Sequence, residues 1–167
     1  SMVYQNFSLF DNLTVAENIN AAFTDHDSHG FNVRALSDRI IEIGEAYDLN
    51  LDPKRPVHTL STGERQRIEI VRSLLRHPKL LILDEPTSVL TPQEAEGLFL
   101  TLTKLAAGGC AILYISHKLE EVQKLCSRAT ILRNARVVGC CDPRTTDLSE
   151  LAAMMVGSTA VSYTHLR

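Results

Sequence analysis

The sequence predicts an α/β fold with a mostly parallel sheet and a separate helical subdomain, on three observations. Residues 80–83 (LLIL) and 110–115 (CAILYI) are apolar almost throughout and too short for helices, as in strands covered on both faces of a parallel sheet. A stretch with apolar residues at helical spacing precedes each run: Ile68, Val71, Leu74 and Leu75 before the first, Ala95, Leu98, Leu102 and Leu105 before the second. Residues 6–77 carry only helical patterns, broken by Asp52-Pro53 and Arg55-Pro56, and form the helical subdomain.

From the amino terminus, residues 2–5 read as the end of an edge strand that delivers Gln5 to a loop. Phe7, Leu9 and Phe10 follow as an apolar cluster in a loop-like stretch, either packed beneath the loop or presented to a partner. Thr14 with Glu17 makes a capping box, in which hydroxyl and carboxylate each satisfy a free amide. It opens a helix with Val15, Ile19 and Ala22 inward. Residues 25–30 are polar and turn-rich, hence a loop. His26 and His29 have only Asp25 and Asp27 nearby, too weak a ligand set for a metal site. A long helix is expected over 32–47, with Leu36, Ile40, Ile43 and Tyr47 on its buried side.

Ser61 opens the next helix through a second capping box: in S-T-G-E the Ser61 hydroxyl bonds the Glu64 amide while the Glu64 carboxylate reaches back. Such a helix start carries free amides and a positive dipole, so it attracts anions. His77-Pro78 stops the helix, because a residue before proline avoids the helical region. The strand 80–83 ends in Asp84 and Glu85, and Pro86 forces the chain out of the sheet. Ligands of open α/β sheets bind beyond the carboxyl ends of strands, where both acids would project. Neighbouring acids there suit a metal-phosphate site, one holding Mg²⁺ through water and the other polarising an attacking water; a solvated turn is the plainer alternative.

Thr91-Pro92 starts a helix with proline in the first turn, where the missing amide costs nothing, and Gly108-Gly109 ends it. The run 110–115 follows as a second interior strand. Ser116-His117 stands at its carboxyl end, beside Asp84 and Glu85 if the strands are parallel neighbours. Two short strands, 129–132 and 136–139, flank a turn at Arg133-Asn134-Ala135, and Thr146 or Asp147 begins a last helix through Val156.

The 167 residues are enough for one domain, or two small subdomains, with a real core. A net charge of -3 argues against a nucleic-acid groove, which would show as a basic stripe. No apolar run approaches the roughly 20 residues needed to cross a bilayer, and no charged-then-apolar signal segment opens the chain. Cys110, Cys126, Cys140 and Cys141 show neither a C-x-x-C pair nor histidines at ligand spacing, and read as free buried thiols in a reducing compartment.

Five motifs, in order, resemble those of the ATP-binding cassette (ABC) ATPases. LSTGE at 60–64 resembles the LSGGQ signature, and LLILDE at 80–85 the Walker B strand with its catalytic glutamate. SVLT at 88–91 falls where the family has its D-loop, His117 in YISHKLEEV where it has the switch histidine, and Gln5 in MVYQNFSLFDNLTVAENI resembles the Q-loop glutamine. The resemblance covers roughly residues 2–157 and implies a P-loop ATPase that uses ATP and Mg²⁺. It implies that Glu85 and His117 are catalytic, and that Asp84 and Gln5 hold Mg²⁺ through water. In the family two cassettes close head-to-tail, so Ser61, Thr62, Gly63 and Glu64 would bind the nucleotide held by a second cassette, in the same chain or a dimer. Transmembrane permease subunits are the other implied partners, with Phe7 to Phe10 facing them; nucleic acid is not one. The place implied is the cytoplasmic face of the cell membrane, peripherally. By the same likeness residues 1–5 end the Q-loop strand, 6–77 are the helical subdomain, 78–157 are part of the catalytic core, and the tail 158–167 matches nothing in the family.

Departures from the family pattern matter as much. No G-x-x-x-x-G-K-[ST] occurs, so the Walker A strand and loop are expected to lie upstream of these residues, and the fragment is expected to be inactive alone. Thr62 replaces a glycine and narrows backbone freedom beside the phosphate. Glu64 replaces a glutamine and brings an acid near an anion, although the capping box turns it toward amides. Thr91 replaces the usual D-loop aspartate. QNFSLFDNLTVAENI, LSTGERQRIEI and EPTSVLTPQE together look most like the first cassette of the double-cassette ATPases of bacterial sugar and nucleoside importers, the nucleoside branch being the nearer. The alternatives are a soluble cassette ATPase of the translation or repair type, and an inert binding module.

Overall fold

A computed structural model describes residues 1–3, 8–23 and 33–157. Gln5, Phe7, the loop with His26 and His29, and the 158–167 tail lie outside the described residues. The chain divides into two compact units, Ser1–Ile115 and Ser116–Arg167.

The first unit is built on three parallel strands in the order β1 (Met2–Val3), β2 (Leu80–Asp84), β3 (Ala111–Ile115). Met2 pairs with Ile82, Leu80 with Ala111 and Asp84 with Ile115. Its described residues form the helices α1 (Val15–Ala21), α2 (Val33–Tyr47), α3 (Thr62–Leu74) and α4 (Pro92–Ala107), with a 3-10 turn at Val57–Thr59 before α3. Both anticipated capping boxes are present, at Thr14 with Glu17 and at Ser61 with Glu64. A third opens α4, where Thr91 pairs with Glu94. Val15, Ile19, Leu36, Ile40, Val57, Ile68 and Val71 are fully buried, so α1, α2 and α3 share one apolar core.

Polar ties hold the segment before α1 to that core. The buried Asn18 side chain accepts from the Phe10 amide (2.7 Å) and donates to the Phe10 and Thr14 carbonyls (3.0 and 3.1 Å), so the turn folds around it. Arg65 of α3 pairs with Asp11 at 2.9 Å. Further along α3, Arg72 pairs with Glu69, which is only 3% exposed, and donates to the Ser8 carbonyl at 3.5 Å.

The sheet departs from expectation in its coverage. Side chains alternate across a strand, and the register puts Leu80, Leu113 and Ile115 on one face and Val3, Leu81 and Leu83 on the other. Val3, Leu81 and Leu83 are buried, whereas Leu80 is 43% and Leu113 50% exposed. Neither apolar strand is therefore covered on both sides, and β3 is an edge strand of this sheet rather than an interior one. A continuous apolar run cannot say which face a second layer covers, and among the described residues none covers this one.

In the second unit β4 (Ala129–Arg133) and β5 (Arg136–Cys141) form an antiparallel hairpin with a bulge between Ile131 and Leu132. Its two-residue turn sets both Asn134 (φ 50°) and Ala135 (φ 59°) left-handed, as the right-handed twist of a tight hairpin demands. Asp147 caps α6 (Leu148–Val156) by accepting from the Ser149 amide at 2.8 Å, and Gly157 ends it at φ 83°. A short helix, α5 (Leu119–Leu125), was not expected: it has seven residues, and Lys118 gives it no side-chain cap. The four thiols are free, as anticipated, but not buried: Cys140 is exposed and Cys110, Cys126 and Cys141 are half-buried.

Two tests of this architecture follow from burial. Leu81→Ala should cost about 2–5 kcal/mol in urea unfolding, and Leu113→Ala on the uncovered face under about 1 kcal/mol. Equal losses would contradict the one-sided sheet. Burial also holds the Glu69 carboxyl above its ordinary value of 4.5, against the opposing pull of Arg72 and the Ser8 amide. A raised folded value means stability that is fully present below pH 4.5 and lost as pH climbs through the raised value. The Tm of Glu69→Gln relative to wild type should therefore increase between pH 4.5 and 7. A pH-independent difference would remove Glu69 from that linkage.

Candidate functional site

Two groups of the expected site residues stand on separate elements of the first unit. The first is the start of α3. Ser61 is extended (φ -65°, ψ 164°), its hydroxyl accepts from the Glu64 amide at 3.2 Å, and Glu64 Oε2 accepts from the Ser61 amide at 2.8 Å. Glu64 Oε1 is met by Arg55 Nη1 at 2.5 Å. Arg55 is itself fixed by the Thr59 carbonyl (2.7 Å) and hydroxyl (3.1 Å). The acid that replaces the family's glutamine is thus paired on both oxygens. Ser61 and Thr62 are exposed and Gly63 is buried.

Gly63 is buried against a side chain that sequence reasoning passed over. A Cβ at this position would collide with the Glu94 carboxylate. Glu94 Oε2 accepts from the Thr91 amide (2.9 Å) and hydroxyl (3.0 Å), which caps α4, while Oε1 lies 3.5 Å from the Ser61 hydroxyl. The Thr91 amide, above all, holds the Glu94 carboxyl below its ordinary range, and the Ser61 hydroxyl and the Arg67 charge add to this. The T-x-x-E spacing at 91–94 was a readable signal for the cap. The reach to Ser61 was not, since it spans 33 residues.

The second group is the carboxyl end of β2. Asp84 is the last strand residue and sits opposite Ile115 of β3. Glu85 turns into the left-handed region at φ 47°, and its amide donates to the Ile115 carbonyl at 2.9 Å. The Ser88 amide then bonds the Glu85 carbonyl at 3.1 Å, a tight turn that leads to Thr91 and α4. Both acids are half-buried at the carboxyl end of the central strand, where α/β folds hold ligands. Mg²⁺ in nucleotide sites takes one or two carboxylates and fills the rest of its shell with water and phosphate oxygens, which this pair fits.

Two further expected site residues stand outside the described part of this unit. Gln5 lies outside the described residues, and His117 belongs to the second unit, exposed at the bend between Ser116 and Lys118. Among the described residues no cluster of three or more His, Cys, Asp or Glu could hold a metal by itself. No described helix is long and apolar enough to cross a membrane.

Residues 1–88 match the family described as ABC transporter. The chain is 38% identical over 164 residues to the ribose import ATP-binding protein RbsA of Clostridium perfringens, covering 95% of this chain and 32% of that protein. It is 35% identical over 164 residues to the galactose/methyl galactoside import ATP-binding protein MglA of Pasteurella multocida (94% of this chain, 31% of that protein). To the nucleoside import ATP-binding protein NupA of Lactococcus lactis it is 35% identical over 156 residues (93% and 31%). It spans about a third of the length of these relatives. Among solved structures, cbiO1 from Clostridium perfringens, part of the cbiONQ ABC transporter complex, matches with a TM-score of 0.73 at 23% identity over 93% of this chain and 60% of that one. A dimeric bacterial ABC transporter cassette matches with a TM-score of 0.71 at 24% identity over 87% and 63%. At such identities the structures speak for the fold, and the family match together with the motif-bearing strand and helix starts leads to one statement: the chain belongs to the ABC transporter family.

Proposed function

We propose that this chain is part of the first cassette of an ATP-hydrolysing subunit that powers import of a sugar or a nucleoside. The observation that carries the reading is Glu85. A glutamate held at φ 47° at the end of a strand with one buried face costs roughly 1–3 kcal/mol of backbone strain, and such strain is concentrated at functional sites. The three relatives named above are import ATP-binding proteins, and at identities of 38% and 35% the sugar and nucleoside branches stand on a par. Residues 13–18 (LTVAEN) resemble transporter cassettes, which favours an importer over a soluble cassette ATPase of another kind.

In this reading Asp84 and Gln5 would hold Mg²⁺ through water, and Glu85 would take the proton of the attacking water. His117 serves the same nucleotide. Bound Mg²⁺ would neutralise charge on the β- and γ-phosphates. Ser61, Thr62, Gly63 and Glu64 face the nucleotide of a second cassette: the Ser61 hydroxyl and the free amides of the first helical turn donate to its γ-phosphate. Permease subunits are the transmembrane partners, and the protein works peripherally at the cytoplasmic face of the membrane.

Glu85→Gln in the full-length protein tests the assignment, since glutamine keeps the shape and removes the base. Single-turnover hydrolysis should slow by roughly 10²–10⁴-fold, the usual worth of a general base, with MgATP binding retained. A loss of less than threefold would take Glu85 out of that role.

A further inference from the structure

We propose that Glu94 is a positioning residue that occupies the start of the signature helix as an internal anion and yields it to the arriving phosphate. The proposal rests on the reading of Ser61 as a γ-phosphate ligand. One oxygen of Glu94 is committed to Thr91 and the cap of α4. The other faces the Ser61 hydroxyl and is pressed against Gly63, over the first turn of α3. That is where a helix dipole and free amides favour negative charge, so the carboxylate stands where a phosphate would be drawn. A hydroxyl has one proton. Ser61 Oγ already accepts from the Glu64 amide, so while its proton points at Glu94 it cannot donate to a phosphate oxygen.

The carboxylate has somewhere to go. A cavity of about 60 Å³ lies beside it, lined by Gly63, Gln66, Arg67, Gln93 and Glu94. Arg67 stands one turn along α3 and already attracts the Glu94 charge. A small rotation toward Arg67 frees the Ser61 proton and moves a negative charge away from the incoming one. Glu94 thus sets how much phosphate binding must overcome, and ties that event to the Ser88–Thr91 turn through Thr91.

Glu94→Gln in the full-length protein separates charge from capping, because glutamine also serves in a capping box. The KM for MgATP should fall about three- to tenfold while kcat changes by less, and the gap between variant and wild type should shrink in 0.5 M salt. Tm should stay within about 2 °C of wild type, as a retained cap requires. An unchanged or higher KM at matched Tm overturns the proposal and leaves Glu94 as a helix cap only. Should the variant unfold, Arg67→Gln reads the same exchange from the other side: KM should rise about threefold, and no change there overturns it equally. Ser61→Ala distinguishes the two levels. If it leaves turnover intact, the phosphate role of the signature turn falls, and this proposal with it. If it impairs turnover while Glu94→Gln behaves as wild type, only the exchange falls.

Discussion

A single serine hydroxyl carries two obligations at the start of α3. It must satisfy the Glu64 amide for the helix to begin, and it must keep a proton to offer outward. Everything around it limits that choice. The helix behind it buries Ile68, Ile70, Val71 and Leu74, so its axis is fixed by apolar packing worth roughly 1.5–3 kcal/mol for each large side chain. The 3-10 turn and Arg55 fix the approach from the other side. Among the charged side chains described at this turn, Glu94 is the one whose second oxygen faces Ser61.

The same helix is tied at its far end by a different kind of interaction. Glu69 and Arg72 form a pair in which the carboxylate is almost wholly buried. Such a pair adds little net stability, since desolvation offsets most of the attraction. Arg72 also reaches the Ser8 carbonyl, and Arg65 reaches Asp11, so both contacts tie the segment 8–11 to α3. The exposed Phe10 rides on that segment.

What the sequence made legible was local, and what it hid was not. The boxes at Thr14 and Ser61 were readable because donor and acceptor lie three residues apart on one helix. The strand ending in Asp84 was readable because an apolar run stops at two acids and a proline. The coverage of the sheet was not, since a run without alternation has no inside or outside until a second layer chooses one. Nor was the left-handed turn at Glu85, because glutamate has no preference for that region; the constraint comes from the Ile115 carbonyl across the sheet. Arg55 beneath Glu64, and Glu94 against Gly63, are contacts between segments far apart in the chain, and no periodicity marks them.

The departures in the signature follow from the same geometry. Glu64 in place of glutamine adds a charge, but Arg55 and the Ser61 amide take up both oxygens, so the turn gains no free negative group from it. Thr62 in place of glycine sits at the first helical position, exposed and with helical backbone, where a side chain meets no obstacle. Gly63 has no such latitude: its backbone is unstrained, yet any side chain would enter the space of the Glu94 carboxylate. Of the two glycines in the family pattern, the one retained here is the one that lets the Glu94 carboxylate lie against the helix start. Glycine at 63 and glutamate at 94 are in that sense one feature, since enlarging the first would displace the second from Ser61 and strip α4 of half its cap.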